Sequence, residues 1–579
     1  LKIKFSTDKS SVIFINENAA EYKAMMLFPA FNKDGPIFWA PAKTHIVYNL
    51  LERLKLAFKK IAVDKDVMDF ANLPMVLKEL PEDFKYHTKP MPFQEIALRF
   101  MYTVGGGGLL LDPGMGKSKI CCDLIKLMGF KRSLILCPLA LTYVWEDEIK
   151  THRPELSIYV FKSTNFEKEW AEAKTYDVVC MNYTKASLLK THLLKEEFEY
   201  IHVDEFLIKD PTSKRTIDIT ELSRGIPYRS GGSGTLVSNS ILDIFSPCRF
   251  IEPSIVGTTF SKFLNRHSIR NPNDMRTICN YTKKDEARSI LDSVSIVMSK
   301  EEWLTLPSKT IHDIFVEPSE YQKTLYSGLS RNYVTKIKDE YLTVDNALVM
   351  MSKLSQISNG FCYLSDAVDD NADVSEMLED EEVKPRKKSP RRTVFFEDQP
   401  KIDAMITLIK GDALGKRAII WYNSNAEFTL ITEALTISKY SHVSIRGGTK
   451  NIGGIIREFN SNPDIQFLVA QSSTINYGVT VLGMSQDKMD ASPKEFLPGV
   501  DPSVHTQIFY SINFSYERFL QQLDRCHRLG QTHDCVYYRI FSKTSVEDRV
   551  RKALEEKSIV RAEMLIDIAI SLRENTQNE

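Results

Sequence analysis

Short apolar runs separated by amphipathic stretches recur in two series along this chain. From about residue 86 to 250 the runs are Gly108-Leu109-Leu110-Leu111, Leu134-Ile135-Leu136-Cys137, Val178-Val179-Cys180-Met181 and Tyr200-Ile201-His202-Val203. From about 400 to 545 they are Ala418-Ile419-Ile420-Trp421, Phe467-Leu468-Val469-Ala470, Gln507-Ile508-Phe509-Tyr510 and Val536-Tyr537-Tyr538-Arg539. Strand-like runs alternating with helical periods predict a parallel α/β sheet in each series. The expected fold class is therefore α/β, with two parallel-sheet lobes and helical insertions. Ahead of them, Lys2-Ile3-Lys4-Phe5 and Val12-Ile13-Phe14-Ile15 read as strands and Val47 to Ile61 as an amphipathic helix. A small α+β domain is expected there.

The expected boundaries are 1–85 for the N-terminal domain, 86–250 for the first lobe and 251–305 for a helical, basic insertion of that lobe. A helical insertion of the second lobe follows over 306–399, then the lobe itself over 400–545 and a C-terminal helix over 546–579. Asp366 to Glu382 is strongly acidic, and Lys384-Pro385-Arg386-Lys387-Lys388 with Arg391-Arg392 is basic. Such runs cannot bury a core, so residues 366–393 read as a solvated, flexible loop. Contact of the basic half with DNA is the alternative.

Composition narrows the class. With 43% hydrophobic and 26% charged residues the chain is ordinary globular protein, and at 579 residues it is too long for one core. A net charge of −1 means that any nucleic-acid surface has to be a local basic cleft. Nine scattered cysteines, never spaced C-x-x-C, suggest neither a disulfide frame nor a zinc site, and a reducing compartment is expected. The longest apolar stretch, Leu134 to Val144, is interrupted by Pro138 and Thr142 and is too short for a bilayer, so no membrane partner is expected. No signal peptide opens the chain, and Leu1 in place of Met is expected where the natural start lies upstream.

Chemistry concentrates in two stretches. Asp112-Pro113-Gly114-Met115-Gly116-Lys117-Ser118 follows an apolar strand and precedes a helix. Gly114 and Gly116 let the backbone turn N–H groups toward phosphate at the helix N-terminus. Lys117 then pairs with the β/γ-phosphates and Ser118 ligates Mg²⁺, with Met115 and Lys119 in the same cradle. The strict phosphate-loop pattern fails at its first glycine, which is Leu111 here. A later strand ends in Asp204-Glu205. Asp204 is expected to hold the Mg²⁺ through water, and Glu205 to orient or deprotonate the attacking water. The second stretch is Gln521-Gln522-Leu523-Asp524-Arg525-Cys526-His527-Arg528-Leu529-Gly530-Gln531. Arg525 and Arg528, three apart, are expected on one helix face, where a guanidinium could stabilise charge on the transferred phosphoryl group. The Gly105 to Gly108 run reads as a flexible approach to the strand.

These stretches, in order, resemble the Swi/Snf-type ATPases of helicase superfamily two over roughly residues 86–560. Pro92-Phe93-Gln94 resembles the family's adenine-reading motif, and Cys137-Pro138-Leu139-Ala140-Leu141 with Trp145 and Glu148 resembles motif Ia. Asp204 through Lys214 matches the extended motif II. Ser233-Gly234-Thr235 with Asn239 resembles motif III, the coupling motif. Leu306-Pro307-Ser308-Lys309-Thr310 with Tyr321-Gln322 resembles the start of the second lobe, and Gln521 to Gln531 is close to motif VI. Three departures stand out. Leu207 replaces the usual histidine of motif II. Gly232 and Leu236 replace an apolar residue and a proline of motif III. Motif V, at Ser472-Ser473-Thr474 and Gly478-Val479-Thr480, is followed by an apparent insertion from about Ser485 to Ser503.

The resemblance implies two RecA-like lobes with ATP between them, Mg²⁺ as cofactor, Gln94 and Gln521 at the nucleotide, and Gln531 in coupling. It also implies a motor that moves along double-stranded or branched DNA, remodelling forks in replication, repair or recombination, with a replication or recombination protein as a further candidate partner. A bacterial or phage setting, hence the cytoplasm, is expected, or the nucleus in a eukaryote. A strand-separating helicase and a weakly hydrolysing scaffold subunit are the alternatives. Residues 1–85 read as a packing or partner-binding module. Phe38-Trp39-Ala40-Pro41 there also resembles the HepA-related substrate domain of annealing helicases.

Overall fold

The computed structural model describes residues 2–7, 11–15, 32–34, 37–41, 51, 61–71, 77–162, 166–234, 240–256, 259–271, 274–332, 334–337, 340–343, 347–364, 392–449, 451–475, 481–483, 501, 503–512 and 516–555. The charged tract, most of the expected Val47–Ile61 helix and the chain beyond Glu555 lie outside them. So do Thr235, Asn239, Gly478 to Thr480 and nearly all of the expected insertion after motif V.

The chain forms two compact units, Leu1–Thr305 and Leu306–Glu579. In the first, strands β1 (Lys2–Phe5), β2 (Ser11–Ile15), β3 (Asn32–Asp34), β4 (Ile37–Pro41) and β5 (Ala62–Val63) make a sheet of order β3-β4-β2-β1-β5. Ile3, Val12 and Phe14 of this sheet are buried in the same apolar cluster as Leu134 and Val179 of the main sheet.

That main sheet uses β6 (Gly106–Leu111), β7 (Ser133–Cys137), β8 (Ile158–Val160), β9 (Val178–Asn182), β10 (Tyr200–Asp204) and β11 (Tyr228–Gly232). Between β11 and its last strand the chain makes an antiparallel pair, β12 (Ser268–Asn271) and β13 (Asp274–Tyr281), before β14 (Ser295–Met298). The order is β14-β6-β11-β10-β7-β9-β8, and every pairing is parallel. β6, β7 and β10 are buried at every position, as strands covered on both faces must be. β6 and β10 flank β11, so their C-terminal ends open on one crevice, the usual ligand position in open α/β sheets.

In the second unit, β15 (Lys309–Val316) comes first, followed by two small antiparallel pairs, β16 (Val334–Ile337) with β17 (Glu340–Thr343) and β18 (Phe361–Leu364) with β19 (Arg392–Phe395). Then come β20 (Arg417–Tyr422), β21 (His442–Ile445), β22 (Phe467–Gln471), β23 (Val504–Phe509) and β24 (Cys535–Ser542). The sheet order is β15-β24-β23-β20-β22-β21, again parallel throughout.

Three readings need correction. Residues 251–305 are not simply a helical insertion, since they contribute the β12–β13 pair and β14 of the main sheet. Residues 306–399 likewise contribute β15, paired with β24 along its whole length. β15 is an edge strand exposed along much of its length and lacks the apolar run of a buried strand; β14, also an edge strand, carries Ile296-Val297-Met298 but is only four residues long. The third correction is the glycine run. Gly106, Gly107 and Gly108 are part of β6, not a flexible approach to it. Gly106 and Gly107 carry φ of 127° and 123°, a region only glycine occupies easily. A Cβ on Gly106 would run into the Arg229 carbonyl, one on Gly107 would sit 2.8 Å from the Val294 oxygen, and one on Gly108 would sit 2.7 Å from Ser295 Cβ. The neighbouring strands have closed in on a strand without side chains.

Candidate active site

β6 delivers the chain directly into the phosphate loop, and helix Lys117–Met128 begins at its end. Gly116 caps that helix with φ 75°, which a side-chain-bearing residue there would resist. Its lack of a Cβ also admits the Gln94 amide, which any Cβ would strike. Gln94 Nε2 donates to the Met115 carbonyl at 3.1 Å, and Gln94 Oε1 accepts from Met91 N–H at 3.0 Å. Gln94 thus braces the loop from helix Pro92–Val104, beside any base it contacts. Asp112 Oδ2 accepts from Lys300 N–H at 2.8 Å and ties the loop to the end of β14.

Lys117 is buried, and its ammonium donates to the Leu111 carbonyl at 2.9 Å. A carbonyl is a weak substitute for phosphate, so this bond is readily exchanged for a charged partner. Lys119 is placed differently from expectation. Its ammonium binds Asp123 Oδ2 at 2.8 Å and the Thr88 carbonyl at 3.0 Å, over the Tyr86 ring. Only its backbone is left to serve a nucleotide. Helical spacing explains this, since Lys119 and Asp123 are four apart on one face.

Asp204 ends β10 and is buried, with Oδ2 accepting from Trp145 Nε1 at 3.0 Å. Burial, and then the adjoining Glu205, push its carboxyl up to about 7, while Lys117 pulls the other way. Two neighbouring carboxylates with one buried cation make a site that a further cation would relieve. Glu205 and Phe206 both have positive φ, 62° and 38°. For residues with side chains each such conformation costs about 1–3 kcal/mol. The Tyr183 hydroxyl donates to the Asp204 carbonyl and pins the strand end just before this turn.

β11, between the two, carries the start of motif III. Its last residue, Gly232, brings them together: a Cβ there would lie 3.3 Å from Lys117 Cδ and 3.8 Å from Asp204 Oδ1. Gly234 abuts the phosphate loop, where a Cβ would come within 2.6 Å of Pro113 Cδ. Ser233 is buried beside them. At 232, a departure from the family pattern, a Cβ would need the Lys117 side chain to give by a few tenths of an ångström, so close packing favours glycine there without demanding it.

His202 escaped the sequence reading. It shares a strand face with Asp204, two residues on, and its Nδ1 meets Ser230 Oγ at 2.8 Å. Burial first, and Lys117 second, depress it to about 3, so it stays neutral. The available signal was a polar residue inside the apolar run Tyr200 to Val203 that precedes Asp204.

In the second unit, Gln521 is buried on helix Tyr516–Leu523. Arg525 and Arg528 are buried too, but not on a shared helix face as expected: the helix stops at Leu523, and both sit in the turns beyond it. Side chains from the sheet below end the helix. Gln507 Nε2 donates to the Gln522 and Leu523 carbonyls at 3.0 and 3.2 Å, and Tyr537 OH donates to the Leu523 carbonyl at 3.0 Å. Those last carbonyls need partners, and here they find them outside the helix. Gln531 then clamps the far side. Its Nε2 donates to the Val504 and Cys526 carbonyls, and its Oε1 accepts from Thr532 and His533 N–H, all at 3.0 Å. With its amide fully used, Gln531 shapes the arginine turn.

A glycine-rich loop with its lysine, facing an acidic strand end across a glycine strand in a parallel sheet, defines a P-loop nucleoside triphosphatase. The SNF2-related domain family matches residues 43–361, more than half of the chain, so the chain belongs to that family, which is of Swi/Snf type. It is 24% identical over 481 residues to the uncharacterized ATP-dependent helicase MG018 of Mycoplasma genitalium, covering 80% of this chain and 40% of that protein. It is 24% identical over 462 residues to the TATA-binding protein-associated factor MOT1 of Saccharomyces cerevisiae, covering 72% and 23%. Over 498 residues it is 21% identical to the DNA repair and recombination protein RDH54 of that yeast, covering 80% and 50%. The chain thus spans half or less of these relatives. Among solved structures, the Sulfolobus solfataricus SWI2/SNF2 ATPase core in complex with dsDNA aligns over 87% of this chain and 97% of that one, at 20% identity and TM-score 0.38.

Proposed function

We propose that this chain is a DNA-dependent ATPase that translocates on double-stranded DNA and remodels forked or branched DNA. The carrying observation is the approach of Lys117 and Asp204 across Gly232, which assembles phosphate-binding and acidic groups at one crevice. Lys117 and the N–H groups of Gly114 to Lys119 would grip the phosphates, and Glu205 would orient the attacking water. Ser118 and Asp204 would hold Mg²⁺, which supplies charge neutralisation at the β/γ-phosphates. Arg525 and Arg528 are proposed to stabilise the transferred phosphoryl group during turnover.

DNA as partner is supported by the printed names of the relatives, one of them a DNA repair and recombination protein. Phosphate contacts would dominate, making binding salt-sensitive and largely blind to sequence. The test is ATP turnover against single-stranded, duplex, forked and four-way DNA at fixed salt. Stimulation by duplex, highest on forked or four-way DNA, is expected. No stimulation by any DNA at low salt overturns the proposal. Release of a labelled strand from a forked duplex would make the chain a strand-separating helicase instead; displacement of a triplex strand without it marks translocation alone.

A further inference from the structure

Glu205 and Phe206 are consecutive residues in a backbone region that side-chain-bearing residues avoid, and such backbone persists only where its surroundings hold it. The holding contact is on the neighbouring strand. Phe206 is fully buried, and its ring lies over Gly231 of β11, where any Cβ would overlap ring atoms Cε1 and Cζ and come within 2.9 Å of Cε2. Val203 pairs with Gly231 and Asp204 with Gly232, so this notch opens one step before the acidic strand end. Gly231 has no positive φ, so space alone demands a glycine there. The next residues of the same segment touch the phosphate loop, Gly232 at Lys117 and Gly234 at Pro113.

We propose that Phe206 is a positioning residue for hydrolysis: seated in the notch at Gly231, its ring locks the left-handed turn that aims the Glu205 carboxylate. The proposal rests on Glu205 being the group that orients the attacking water. It also accounts for a departure from the family's motif II. Leu207 cannot donate or accept a side-chain hydrogen bond and instead packs against the apolar core. The acidic turn is therefore joined to the motif III strand by a ring in a socket, and a shift of either segment has to carry the other.

The experiment is a steady-state and binding series on the full chain. Phe206→Ala should lower kcat by about ten- to a hundredfold, as expected for a misaimed catalytic group. The affinity for a fluorescent ATP analogue should stay within about twofold, while Tm falls, as it must when a fully buried ring is cut back to a methyl group. Phe206→Leu, which keeps bulk in the notch, should recover part of the rate. Gly231→Ala should be deleterious alone yet add no further loss on top of Phe206→Ala, because the clash needs the ring. If Phe206→Ala, measured below its Tm, keeps the parental kcat, or loses kcat and nucleotide affinity together, the positioning role is overturned. Additive losses in the double variant overturn the socket. Glu205→Gln separates the underlying assignment: full turnover in that variant refutes Glu205 itself, whatever Phe206 does.

Discussion

The phosphate-loop crevice of the first unit and the arginine turn of the second are built by opposite means. In the crevice, side chains have been removed so that backbones can close up: β6 begins with three glycines pressed between two strands, and β11 ends with Gly231 and Gly232 under Phe206 and Lys117. In the arginine turn, side chains have been added to finish an incomplete helix. Gln507 and Tyr537 rise from β23 and β24 to take its last carbonyls, and Gln531 binds four backbone groups beyond it. A cradle made of backbone gains precision from absent atoms, whereas a turn made of side-chain struts gains it from filled hydrogen-bonding capacity.

The largest expected effect is at the crevice. Lys117→Ala should drop ATP turnover to background, a loss of more than about a thousandfold, because it removes the buried cation that stands beside Asp204 at the phosphate loop. The fold should survive, since among the described residues the hydrogen bond of the Lys117 ammonium is a local one, to the Leu111 carbonyl six residues back. Hydrolysis and circular dichroism on the same preparation check both parts. Normal turnover with an intact fold would mean that the loop does not hold the triphosphate.

At the turn, Arg528→Ala should leave ATP binding near parental while DNA-stimulated turnover falls by about a thousandfold, the lower end for an arginine that stabilises phosphoryl transfer. Turnover unchanged in Arg528→Ala but lost in Arg525→Ala would move that role to Arg525. Equal losses of binding and rate would make these arginines structural, and the contrast between the two regions would then be one of architecture alone.

The contrast also explains what could be read in advance. The buried strands β6, β7, β9, β10, β20, β22, β23 and β24 each hold an apolar run, because a strand covered on both faces can carry little else. Edge strand β15 is largely exposed and β14 only four residues long, and both vanished into helical surroundings. The loop at Gly114 to Ser118 is contiguous in sequence, so its chemistry was legible residue by residue. What escaped were contacts between distant segments: the His202–Ser230 pair, the bracing of the loop by Gln94, and the bond from Lys119 to the Thr88 carbonyl. A spacing of three between arginines suggested a helix face, but spacing cannot show that side chains from two other strands will end the helix first.

The smallest effect is the most pointed test of that last inference. Tyr537→Phe removes one hydroxyl from the base of the arginine turn and leaves the Leu523 carbonyl with Gln507 at 3.2 Å as its remaining side-chain donor. The loss of one buried hydrogen bond should cost about 1 kcal/mol of stability in the unit, read as a shift in urea midpoint at constant slope. If the turn is held by its struts, kcat should fall with the same substitution by a few-fold while ATP affinity stays put, because the arginines move and the phosphate cradle does not. A stability loss with kcat untouched would show that Gln507 and Gln531 suffice to hold the turn. No stability loss at all would show that the helix ends at Leu523 for some reason other than its capped carbonyls.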